Sequence, residues 1–139
     1  MFRCIGLFVT ATVSITAVEK SAAIPGEIRG AALHGSALYT WGTEFAVWSL
    51  PDLTRKILAP GIFGEGGCLV DLDGNGAPEF IGYEGTGLGQ LTYRQAPDWR
   101  PQTVDSQIEM HDCREATLFG RRGVLMVNRG MLRARAVGM

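Results

Sequence analysis

Beyond its first two dozen residues, the chain alternates short apolar-rich runs with clusters of turn residues. FAVWSL (45–50), FIGY (80–83) and QLTYR (90–94) are four to six residues long, partly alternating and rich in aromatic and β-branched side chains, as strands are. Pro51-Asp52 and Pro97-Asp98 follow two of them; proline presets φ and aspartate caps the turn. No run keeps a helical period, and 19 glycines among 139 residues suit many short strands. The pattern predicts an all-β chain.

The pattern also repeats. PDLTRKIL (51–58) aligns with PDWRPQTV (97–104) at an offset of 46, while Cys68 and Cys113, and Gly85 and Gly130, fall 45 apart. On the second alignment Phe80 and Ile81 stand opposite Leu125 and Met126. Self-similarity at this period is the mark of arrays and propellers.

Asp71 to Glu79, DLDGNGAPE, is the most chemically specific stretch. Asp71, Asp73, Asn75 and Glu79 place oxygen-bearing side chains at the first, third, fifth and ninth positions, with Gly76 at the sixth. Such a loop can converge on one hard cation, with Gly76 turning the backbone and the Ala77 carbonyl pointing inward. Calcium suits it better than magnesium, which keeps its waters and needs few protein ligands. An EF-hand would need a bidentate glutamate at the twelfth position, where Gly82 stands, so Glu79 is the closing ligand expected here. An Asx- and Gly-rich hairpin that binds nothing is the alternative.

On these residues the chain resembles the FG-GAP or VCBS class of β-propeller repeats, whose blades carry a DxDGDGxxD-type loop between their first two strands. Asn75 and Glu79 depart from the aspartates of that pattern but keep an oxygen, and Phe63-Gly64 supplies only the name-giving pair. The resemblance implies β-propeller-like blades of antiparallel four-stranded sheets, about 26–61, 62–108 and a truncated 109–139. About two and a half blades is an incomplete propeller, so the expectation is a fragment completed by further blades of a longer chain or by self-association. It also implies a structural calcium and no particular activity. Cys68 and Cys113 would begin the innermost strands of adjacent blades; they are expected either to pair or to remain buried thiols.

Met1 to Ala23 reads as a secretory signal, with Arg3 at its start, an apolar core and Ser21-Ala22-Ala23 at a cleavage site. The expected location is therefore extracytoplasmic, with no membrane span after cleavage. Charge is uneven: residues 24–110 carry 5 basic and 11 acidic groups, whereas 111–139 carry 6 arginines against Asp112 and Glu115. The arginines alternate with apolar residues, which a strand with one solvated face explains without nucleic acid.

No catalytic set stands out. His111 with Asp112 is the one candidate acid/base pair, His34 being the only other histidine, and GTGLG (85–89) lacks the lysine and helix of a phosphate loop. Trp41, Trp48 and Trp99 are expected between sheets rather than stacked on sugars. The function expected is a secreted, non-enzymatic binding module for a protein or carbohydrate ligand, the alternative being a fragment of a carbohydrate-active lyase or dehydratase.

Overall fold

The computed structural model describes residues 20–128 and the backbone of 131–135. The expected signal segment, 1–23, lies outside the described residues except for 20–23. All the regular structure described is β, and among the described residues no helix is long and apolar enough to cross a membrane.

Strands β1 (Ile28–His34), β2 (Ala37–Gly42), β3 (Glu44–Ser49) and β4 (Thr54–Pro60) form one antiparallel sheet in chain order. Strands β5 (Phe63–Val70), β6 (Glu79–Glu84), β7 (Gly89–Arg94) and β8 (Gln102–Ile108) form a second with the same order. A third joins β9 (Met110–Leu118), β10 (Arg121–Asn128) and β11 (Met131–Arg135). The third begins two residues after the second ends, so no long crossover separates them.

The second sheet is buried on both faces, which is why Glu79 to Tyr83 is a continuous buried run rather than an alternating one. One face packs on the first sheet through Phe45, Phe63, Phe80, Trp41 and Trp99. Phe45 stacks on Phe80 with ring centroids 4.3 Å apart, and Trp99 meets Phe45 edge-on at 5.2 Å. Each such pair adds about 0.5–1.5 kcal/mol beyond its buried area. Gly30 and Gly67 make room for the Trp41 indole, since a Cβ at either would collide with its ring. The other face packs Ile81, Tyr83, Leu91 and Tyr93 on Met110, Cys113, Val124 and Met126 of the third sheet.

The first strands of the sheets meet across these interfaces, β1 against β5 and β5 against β9. Cys68 of β5 and Cys113 of β9 are joined by a disulfide, with Cα atoms 5.5 Å apart. Cys68 pairs with Ile81 and Cys113 with Met126, the same register in both sheets. The two Pro-Asp turns also share a form. In each the residue after aspartate has a positive φ, 56° at Leu53 and 53° at Trp99, and its N–H donates four residues back, to Ser49 O and Gln95 O.

One buried ion pair was not foreseen. Arg94, 6% exposed, donates from Nε and Nη2 to both oxygens of Glu84, at 2.7 and 2.9 Å, and from Nη1 to Trp99 O. Thr92 also donates to Glu84, and the guanidinium lies 5.5 Å from the Phe63 ring centroid. This satisfied network stands beside the aromatic interface between the first and second sheets.

Candidate metal-binding loop

The loop between β5 and β6 begins at Asp71, one residue past Val70, and closes at Glu79, the first residue of β6. The sequence folds it by local side chain to backbone bonds. Asp71 Oδ2 accepts from Gly76 N–H at 3.1 Å, Asp73 Oδ1 from Asn75 N–H at 3.0 Å, and Asn75 Oδ1 from Ala77 N–H at 2.7 Å. Glu79 Oε2 accepts from Leu72 N–H at 2.7 Å, tying the end of the loop to its start. Gly74 and Gly76 turn the chain at φ values of 75° and 87°, a left-handed region that side-chain-bearing residues rarely adopt.

These bonds curl the loop around its own carboxylates. Asp71, Asp73 and Glu79 each bring an oxygen within 4.8 Å of the others. Ligands on opposite sides of a calcium-sized ion, at 2.3–2.6 Å each, are about 5 Å apart, so one ion spans that cluster. Asp71 Oδ1 is buried and has no hydrogen-bond partner, an expensive state for a carboxylate oxygen with nothing to bind. Glu79 is 2% exposed, and burial pushes its carboxyl above the ordinary value. The Leu72 N–H opposes that rise, while the Asp73 and Asp71 charges add to it. Three acidic groups converging without a counter-charge of equal size are a poor arrangement alone and a good one around a cation. The donors are all hard oxygens, which select such ions over zinc or copper.

Asn75 takes part differently from the carboxylates. Its Nδ2 donates to Asp73 Oδ2 at 2.7 Å, and this bond is the one that an ion held by Asp73 Oδ2 would displace. Ala77 stands beside it, held through its N–H.

Two residues from other sheets close on the loop, and local sequence reading does not identify either as part of the site. Arg122, at the start of β10, donates from Nη1 to Asp71 O at 2.6 Å and sits 3.6 Å from Asp71 Oδ2. His34, at the end of β1, lies with Nε2 3.1 Å from Gly76 O. The 45-residue offset sets Gly120-Arg121-Arg122 opposite Asn75 to Ala77, which marks the loop as lost in the second copy and does not mark Arg122 as its neighbour.

His111 and Asp112 are not brought together as an acid/base pair. His111 is the extra residue of a bulge on β9, where Met110 pairs with Asn128 and Asp112 with Val127. It is half-exposed, with Nε2 4.0 Å from Glu109 Oε1. Asp112 is instead bonded to Arg114 Nη1 at 2.9 Å and to Cys113 N–H. A cleft of about 330 Å³ adjoins His111, lined also by Arg29, Glu65, Tyr83 and Glu109. Trp41, Trp48 and Trp99 are 4%, 5% and 7% exposed, so none presents a ring face to a sugar.

No protein-family model matches the chain, and no curated protein or solved structure does either.

Proposed function

We propose that this chain is a calcium-stapled, propeller-type binding module of an extracytoplasmic protein, related to the FG-GAP or VCBS repeats, with the 71–79 loop holding a structural calcium ion. The observation that carries the reading is the convergence of Asp71, Asp73 and Glu79 to within 4.8 Å, beside which Asp71 Oδ1 is buried with no partner among the described residues. Asn75 and the Ala77 carbonyl complete the proposed oxygen shell, which approaches the six to eight ligands calcium takes. When bound, the ion supplies charge neutralisation and cross-linking, and no reaction step is assigned to it. Stacked meander sheets with first strands adjacent, the shared Cys68 and Cys113 registers and the matching Pro-Asp turns support the propeller reading. The Cys68–Cys113 disulfide supports an oxidising compartment. Further blades, from a longer chain or a second copy, would cover the outer sheets.

A second reading, a carbohydrate-active enzyme, draws on one observation, the cleft that places half-exposed His111 near Glu109, Glu65 and Arg29. There Glu109, not Asp112, would be the partner of the imidazole. It is the weaker reading, since it rests on the lining of one cleft and on a single 4.0 Å approach of His111 to Glu109.

Asp73→Ala tests the first reading. The variant is expected to bind calcium at least about tenfold more weakly by calorimetry and to lose most of the calcium-induced rise in melting temperature. Wild-type affinity in the variant would refute the assignment. For the second, polysaccharide cleavage that disappears in His111→Ala with the melt unchanged would establish an enzyme.

A further inference from the structure

We propose that the end of the molecule carrying the cation loop is a docking surface for an anionic lipid bilayer, with Phe119 as the inserting side chain. The inference rests on the cation reading of the 71–79 loop for its calcium dependence, but not for the surface itself.

The first observation is a residue in the wrong turn. Leu118 pairs with Arg121, so the β9–β10 connection is the two-residue turn Phe119-Gly120, with φ values of 51° and 76°. Two consecutive left-handed residues define the turn type that favours asparagine, aspartate or glycine. A bulky aromatic is disfavoured there, and Phe119 gains nothing from the fold in return, since it is 97% exposed. A strained residue that contributes no packing points to a role outside the folded domain.

The second observation is its surroundings. Arg121 and Arg122 follow the turn directly, and Arg122 reaches Asp71 O at 2.6 Å, which places the tip beside the cation loop. On the loop's other flank, His34 reaches Gly76 O at 3.1 Å, and the preceding Leu33 is 67% exposed. Three turns from three sheets therefore share one end of the molecule. They present two exposed apolar side chains, an exposed arginine at 121 and a cluster of carboxylates. The space beyond Gly35, Gly74, Gly76 and Gly120 is open.

Charge decides the partner and its condition. Without a cation, Asp71, Asp73 and Glu79 repel an anionic surface. A divalent ion neutralises most of that charge and leaves Arg121 and Arg122 dominant, so docking becomes calcium-dependent. An acidic polysaccharide would satisfy the arginines, but a sugar stacked on one face of Phe119 leaves the rest of a 97% exposed ring in water. A bilayer takes both, burying the ring below the headgroups that the arginines contact. One aromatic and two arginines give weak, reversible attachment.

The test uses the full chain and phosphatidylcholine vesicles with and without phosphatidylglycerol, read by co-sedimentation, with calcium binding measured separately by calorimetry. Wild type should bind the phosphatidylglycerol vesicles in calcium and lose most binding in chelator or high salt. Phe119→Asn suits the turn better, so it should melt at or above wild type yet bind vesicles about tenfold or more weakly. Arg121→Gln should weaken binding about fivefold and flatten its salt dependence. If calcium binds but wild type ignores the vesicles, or if Phe119→Asn binds them as wild type does, the docking surface is overturned and the cation site is not. Release by soluble acidic polysaccharide of wild type and Phe119→Asn alike would assign the surface to that polymer and overturn the proposal. Phe119-dependent vesicle binding with no calcium bound would sustain the surface and overturn the cation reading.

Discussion

Glu79 is a carboxyl whose burial works against its own ionisation. In cation-free protein its proton is held more tightly in the folded state than in the unfolded chain, so its contribution to stability falls as pH rises from about 4.5 through the raised folded value. Acidification restores it. Glu79→Gln is therefore expected to melt at or above wild type in chelator at neutral pH, with the difference shrinking towards pH 4.5. In calcium the order reverses, because only wild type gains from the ion. Melting curves of both proteins across pH, with and without calcium, check this; a Glu79→Gln that still gained the wild-type increment would remove Glu79 from the site. Arg94 makes the opposite case, a buried charge fully matched by Glu84. Glu84→Ala leaves the guanidinium buried without its partner and should cost about 3–5 kcal/mol by denaturant unfolding, against little cost if the pair were solvated. The DLDGNGAPE loop is legible because its ligands and the N–H groups that shape it lie within nine residues. His34, Arg122 and the Arg94–Glu84 pair are not, since their partners lie from ten to 51 residues away and only the sheet pairing brings them together.

At the scale of elements, strands and turns follow from local chemistry. QLTYR and FIGY lie within β7 and β6, and each Pro-Asp begins a turn into the last strand of a four-stranded sheet. Phe119-Gly120 was not legible as a turn, because its first residue contradicts the preference of the turn it forms. The candidate pairing of His111 with Asp112 is decided by neighbours at this scale. Alternation and the bulge at His111 send the two side chains to different neighbours, and Arg114 takes Asp112. The disulfide, left open by the sequence, links two elements whose cysteines are 45 residues apart. On the chain-entropy model a closed loop of that length stabilises by about 4 kcal/mol. Replacing both cysteines by serine should lower stability by about 2–4 kcal/mol while leaving calcium binding detectable. A double variant as stable as wild type would show that packing of β5 on β9 suffices.

For the whole molecule, the second sheet is the organising layer. It lends one face to the aromatic core and the other to the Cys68–Cys113 core, and its β5–β6 loop is gripped by His34 from the first sheet and Arg122 from the third. A cation there would stabilise all three sheets together, because it fixes the point at which they meet. That meeting point could not be read from the spacing of the loop's own ligands, because His34 and Arg122 reach it from other sheets. The central claim is that the 71–79 loop is a calcium site, and a crystal structure of the full chain grown in calcium tests it most directly. The account predicts an ion bound by six or more oxygens at about 2.3–2.6 Å, among them Asp71 Oδ1 and Glu79, with the Asn75 Nδ2 to Asp73 bond broken. An ion-free loop at millimolar calcium, with that bond intact and Asp71 Oδ1 hydrogen-bonded to ordered water, would contradict it.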